Sequence, residues 1–223
     1  DLYRMHPRIG KLQEARRTGS AAGILNQHGE YNCFLNVVVQ SLWHLRSFQD
    51  VFQDFPAHEH PTGKSTCVLC SLYFIFQEYQ SADGAKLSSV NLRQALSDSF
   101  AAQQRFQEGV MADAGECYIE LLQLVSKLLP TPELKNKVVH STFDSVMAER
   151  LVCSSCSHEA DLPSISGPTS LVYVSKLVEA AEVLGEKPFD QLLGATNQQD
   201  TQPCSKCSKE AVIMRRMTSV PSV

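Results

Sequence analysis

The sequence predicts an α+β chain, helical in its first half and mixed after it, and three observations carry that reading. Apolar residues recur every three or four positions in four early stretches, strand-like runs flank cysteine pairs later on, and PTPELKNK separates the two regimes. The expected division is an extension over residues 1–20, a helical part over 21–135, and a cysteine-rich part over 136–223. In the first helix, predicted from Cys33 to Phe52, Phe34, Val38, Leu42, Leu45, Phe48 and Phe52 form one apolar stripe. Further helices are expected over Val68–Tyr79, Leu92–Phe100 and Ala114–Leu129. The last begins with Asp113 and Glu116 in capping-box spacing and continues through Leu121, Leu122, Val125 and Leu129. Beyond the boundary, FDSVMAERLVC, HEADLPS and EAVIMRRMTSV read as strands, and SLVYV as a strand leading to a helix in VSKLVEAAEVLG.

Composition narrows the function classes. The chain has 223 residues, 43% of them apolar, enough for a substantial core, and a net charge of −4 that gives no drive toward nucleic acid or anionic lipid. No uncharged apolar stretch reaches the roughly 18 residues of a spanning helix, and the N-terminus lacks a signal-peptide core. The expectation is a soluble protein of the cytoplasm, the nucleus or both, with neither nucleic acid nor membrane as partner. Because it starts at Asp1 without Met and stops at Val223 in an apolar run, the sequence reads as an excerpt.

Cys33 stands in GILNQHGEYNCFLNVVVQSLWHL, after a turn bearing Gly and Asn and at the start of the first helix. Unpaired backbone N–H groups and the positive end of the helix dipole favour a thiolate there, the arrangement of a papain-like peptidase helix. A lone cysteine at such a place is otherwise a small buried hydrophobe.

Six of the eight cysteines form three C-x-x-C pairs, which in a chain without a secretion signal suggest metal ligands before disulfides. Cys153, Cys156, Cys204 and Cys207 can supply the four thiolates of a closed structural zinc site. The segment HEHPTGKSTCVLC adds a second possible set, His58, His60, Cys67 and Cys70. The competing reading makes the two histidines solvated loop residues and the two cysteines part of a buried helix face.

The turn around Cys33 resembles the cysteine box of ubiquitin-specific proteases: Gly23, Leu25, Asn26, Gly29, Cys33, Phe34, Asn36, Gln40 and Leu42 fall on it. The stretch between Asn26 and Cys33 is two residues longer than the common form, as in a divergent subgroup of large members. MADAGECYIELL is similar to the family's Gln-Asp-Ala-x-Glu-Phe box, with Cys117, expected to be buried, in place of Phe. The resemblance implies a papain-like cysteine peptidase fold, a helical thumb followed by zinc-ribbon fingers and an incomplete palm. It also implies a deubiquitinating activity that hydrolyses the isopeptide bond after the C-terminal glycine of ubiquitin, with ubiquitin and ubiquitinated proteins as partners. Cys33 would be the nucleophile, Asn26 or Asn32 the oxyanion donor, and Asp113, Glu116 and Gln40 would meet the ubiquitin tail. The zinc, at the paired knuckles, would be structural.

The general base is missing from this pattern. His44 lies about three helical turns from Cys33, more than ~10 Å away at ~1.5 Å per residue. His28, His140 and His158 lack the family context, and the family's His box follows the fingers, past Val223. The longer turn before Cys33, and Val37 where the family usually has Ser after Asn36, keep a catalytically silent ubiquitin-binding relative as the competing expectation, with a zinc-stabilised interaction module as a third.

Overall fold

The computed structural model describes residues 22–52, 60, 67–81, 86–196 and 200–221. They fall into two compact units that divide between Val138 and Val139, and the mixture of helix and sheet expected of an α+β chain is present. The extension expected over 1–20 lies outside the described residues.

The first unit is helical: α1 (Cys33–His44), α2 (Arg46–Phe52), α3 (Val68–Ser81), α4 (Val90–Ser99) and α5 (Ala114–Leu128). Phe34, Val38, Leu42, Phe48 and Phe52 of the predicted stripe are buried, Leu45 is half-buried, and Leu35, Val39, Leu69, Leu72, Leu92, Leu96 and Leu121 complete the core as fully buried side chains. The single helix expected over Cys33–Phe52 is instead two, broken where Leu45 turns extended at φ −86°, ψ 105°. The break lets both halves address α3: Trp43 stacks on Tyr79 at 4.8 Å and meets Phe76 edge-on at 5.4 Å, while Phe48 and Phe52 pack against Phe76. Buried Gln49 donates to the Trp43 carbonyl, satisfying an acceptor that the break releases. Helix α5 packs against α1 and α3.

Ahead of α1 the chain is pinned as a short parallel bridge, Ile24 to Leu87, with Leu25 N–H donating to Leu87 O at 2.8 Å and Leu87 N–H to Gly23 O at 2.9 Å. This fixes the entry to the turn that leads to Cys33. The turn itself needs left-handed backbone at Gly29 (φ 87°), where glycine is unstrained, and at Tyr31 (φ 51°).

The second unit holds a four-stranded antiparallel sheet of order β2-β1-β4-β3, from β1 (Ser145–Val152), β2 (Glu159–Gly167), β3 (Thr201–Pro203) and β4 (Glu210–Ser219). Between β2 and β3 run α6 (Val174–Leu184) and α7 (Phe189–Thr196), which pack on each other. The strand expected in SLVYV is not formed. Leu171 and Tyr173 are exposed and Val174 already opens α6, so the β-branched run has no neighbouring strand to pair with. Helix α7 and the three-residue β3 carry too weak a pattern to be read from sequence. Among the described residues no helix is long and apolar enough to cross a membrane.

Candidate functional site

Cys33 is the first residue of α1 and its side chain is exposed. Neighbouring Phe34, Leu35 and Asn36 are buried, so the helix is anchored by its core face while the thiol stays at the surface. No described side chain is hydrogen-bonded to Cys33 Sγ.

A carboxamide network holds the turn before it. Asn26 Oδ1 accepts from the Asn32 N–H at 2.9 Å, and Glu30 Oε2 accepts from the Gln27 N–H at 3.0 Å and from Asn32 Nδ2 at 3.3 Å. Asn32 is 2% exposed, occupies the N-cap position without capping through its side chain, and leaves its Oδ1 unpaired. The two oxyanion candidates thus differ. Asn32 has spent its amide donor on Glu30, whereas the Asn26 carboxamide is oriented through its oxygen and its Nδ2 makes no hydrogen bond among the described residues.

Two residues without an assigned role in the sequence reading organise this region. Asn36, one turn into α1, donates through Nδ2 to Leu25 O at 2.9 Å and accepts from Ser89 Oγ at 2.6 Å, tying the pre-turn bridge, α1 and the start of α4 together. Arg93 on α4 is 2% exposed, lies 4.6 Å over the Phe34 ring and donates through Nη2 to Gln107 O and to Val110 O at 2.6 Å. Burial lowers the Arg93 pKa, opposed by the charges of Cys117, Glu108 and Cys33. The available signal was a polar side chain on an otherwise apolar helix face, which demands a buried partner. A partly open groove of about 280 Å³ runs between Gly29, Glu30 and Asn32 on one side and Arg93, Glu108 and Gly109 on the other.

Asp113 caps α5, its Oδ1 accepting from the Glu116 N–H at 2.8 Å. The reciprocal half of the expected capping box is replaced by an ion pair, Glu116 to Arg105 at 2.6 Å, with Arg105 also reaching Glu120 at 2.9 Å. Gln40 lies on α1, partly buried. Cys117 is fully buried on α5. Its thiol is pushed up to about 12, chiefly by burial, with nearby Arg93 opposing and Glu116 reinforcing.

In the second unit Cys153, Cys156, Cys204 and Cys207 converge, their sulfurs all within 4.8 Å of one another. The two C-x-x-C turns are built alike. Cys153 N–H donates to His158 O at 2.9 Å and Cys204 N–H to Lys209 O at 2.8 Å, and the residue after each second cysteine, Ser157 and Ser208, is left-handed. Central strands β1 and β4 pair Val152 with Val212, which brings the two turns to the same end of the sheet. Sγ separations are 3.6 Å for Cys153–Cys207 and 3.7 Å for Cys156–Cys204. Sulfurs about 2.3 Å from one ion in tetrahedral array sit about 3.8 Å apart, and a disulfide requires about 2.05 Å, so the cluster has the dimensions of a metal cage. For Cys153 burial pushes upward, but hydrogen bonds from the Cys156 and Ser155 backbone and the neighbouring thiols outweigh it and bring the thiol down to about 7. Burial, with the Cys207, Cys153 and Cys204 thiols, pushes Cys156 up to about 12 against a backbone hydrogen bond at His158. The four sulfurs could hold a metal ion between them.

Of the second set, His60, Cys67 and Cys70 also lie with their ligand atoms within 4.8 Å of one another, and His58 lies outside the described residues.

An exposed thiol opening a helix behind a carboxamide-braced turn, together with a four-cysteine cage on a sheet, accords with the sequence match: the chain belongs to the ubiquitin carboxyl-terminal hydrolase family, whose model matches residues 22–223. The resemblance drawn from the cysteine box is thereby borne out. Among particular proteins, it is 32% identical over 233 aligned positions to human ubiquitin carboxyl-terminal hydrolase 53, covering 96% of this chain and 22% of that one. It is also 32% identical over 217 positions to rat ubiquitin carboxyl-terminal hydrolase 54, covering 90% of this chain and 14% of the relative. The mouse counterpart of the latter is 31% identical over 220 positions. The chain thus spans less than a quarter of the length of these curated relatives.

Proposed function

We propose that this chain carries the nucleophile half of a deubiquitinating cysteine protease of papain-like fold, hydrolysing the isopeptide bond after the C-terminal glycine of ubiquitin. The observation that supports it best is Cys33, exposed at the first residue of α1 behind a turn fixed on both sides. Cys33 Sγ attacks the glycine carbonyl. Asn26 Nδ2 donates to the developing oxyanion, a role better suited to it than to Asn32, whose donor is committed to Glu30. The base is an imidazole that the described residues do not bring to Cys33. The helical unit serves as thumb and the sheet as fingers, with a structural zinc ion held by Cys153, Cys156, Cys204 and Cys207. The acidic start of α5 receives the basic tail of ubiquitin, with Gln40 on the facing helix. Since Asp113 already caps α5 and Glu116 already pairs with Arg105, tail binding exchanges one of these contacts for another.

A second reading rests on the lengthened turn before Cys33 and on Val37 after Asn36, where the family usually has Ser: a catalytically silent relative that holds ubiquitin without cleaving it. Hydrolysis of isopeptide-linked ubiquitin by the complete protein separates the two. The protease reading expects Cys33→Ser to abolish turnover and Asn26→Ala to cost about 10²–10³ in kcat with little change in KM. Turnover that survives Cys33→Ser would sink it. Ubiquitin binding without turnover in the unmutated protein would establish the silent reading.

A further inference from the structure

We infer that His60, Cys67 and Cys70 form a second metal site, for a zinc ion, that braces the helix carrying Cys33. Cys67 immediately precedes α3 and Cys70 sits in its first turn, three residues on, a spacing that puts both thiols on one side of the helix start. His60 approaches from the chain ahead of α3, its Nε2 3.9 Å from Cys70 Sγ. That separation is long for a thiol–imidazole hydrogen bond. It is close to the edge of a metal tetrahedron, where a sulfur about 2.3 Å and a nitrogen about 2.05 Å from one ion lie about 3.6 Å apart. All three ligand atoms fall within 4.8 Å of one another, as do the four sulfurs of the other cluster.

The surroundings suit a closed structural ion. Cys67 is 5% exposed, and Cys70 and His60 are partly buried, so little water competes for the position. Two thiolates neutralise a divalent cation, and the positive end of the α3 dipole favours them over thiols. Mixed sulfur and nitrogen donors in tetrahedral array select zinc over magnesium or calcium, which take oxygen. The described residues supply three of the four donors of a tetrahedral site.

Position gives the site its consequence. The far half of α3 carries Phe76 and Tyr79, which grip Trp43 on α1, so an ion that fixes the start of α3 fixes the platform on which the Cys33 helix rests. Trp43 is the single tryptophan of the chain and reports on that platform directly.

The test is zinc stoichiometry of the full chain by native mass spectrometry, with Trp43 emission recorded as metal is withdrawn by a chelator. The inference expects two zinc ions per chain. Cys70→Ser and His60→Ala should each fall to one while keeping the helical circular dichroism, and Cys153→Ser should also fall to one through loss of the other ion. Trp43 emission should shift to the red on chelation of the unmutated chain and in Cys70→Ser, and stay unshifted in Cys153→Ser. One zinc per unmutated chain, lost altogether in Cys153→Ser, overturns the inference, as does a Cys67–Cys70 disulfide in place of metal. The unmutated stoichiometry decides the matter even where a variant fails to fold.

Discussion

The two units are stabilised by different means. The helical unit buries whole leucine and phenylalanine side chains along α1, α3, α4 and α5, whereas the sheet unit has a small buried cluster of Leu151, Cys153, Cys204 and Ala211, with Cys156, Ala160, Leu162, Cys207 and Ile213 around it. Four of those nine residues are the cage cysteines. Where a sheet has little apolar surface to cover, the cysteines that could hold a metal ion make up much of its core. The comparison also bears on Cys33: a thiol presented at the surface needs a helix anchored by burial, and the apolar unit provides it.

The largest effect should come from breaking the cage. Structural zinc in small domains supplies apparent folding free energy of about 10–16 kcal/mol, while each buried aliphatic side chain contributes about 1.5–3. Cys153→Ser or zinc chelation should therefore strip amide-exchange protection from β1 and β4 while α1 and α5 keep theirs. Strands that stay protected after complete zinc loss would show that the apolar cluster suffices alone.

Truncation should divide the units next. Leu35→Ala, at a fully buried site in α1, should cost about 2–5 kcal/mol in denaturant unfolding, and Val183→Ala, 84% exposed on α6, should stay within about 0.5 kcal/mol. Equal effects would refute the contrast.

Polar anchoring gives a smaller change. Asn36→Ala leaves the Leu25 carbonyl and the Ser89 hydroxyl without their partner, an expected loss of about 1–3 kcal/mol. Differential scanning calorimetry should show it, and faster amide exchange at Leu25 and Leu87 should mark where the turn has loosened.

Much of this was legible in the chain itself. The stripes Phe34–Val38–Leu42 and Leu121–Leu122–Val125 became buried helix faces, and the strand runs beside CSSC and CSKC became β1, β2 and β4. The break at Leu45 was not legible, because no proline or glycine marks it and its cause is the grip of α3 on Trp43 and Phe48, a tertiary effect. SLVYV misled because β-branched composition records fitness for a sheet, not the presence of a neighbouring strand. In the site, Cys33 and the cysteine pairs announce themselves by spacing, whereas Arg93 and Asn36 act through partners remote in sequence that only the fold brings near.

The smallest effect concerns which thiol reacts. Folded Cys117, held at about 12, stays protonated at pH 8 and should resist iodoacetamide while exposed Cys33 is alkylated, as peptide mapping would show. Its ordinary value is 9.0, so the contribution of the neutral folded thiol to stability is complete below pH 9 and is lost as the pH climbs toward 12. A melting temperature that rises over that interval would contradict the assigned burial.

The most direct test of the account is covalent capture of the complete protein by ubiquitin bearing a C-terminal electrophile. The account predicts a single adduct at Cys33, absent in Cys33→Ser and never at Cys117. A folded, zinc-loaded protein that forms no adduct, or an adduct that persists in Cys33→Ser, would contradict it.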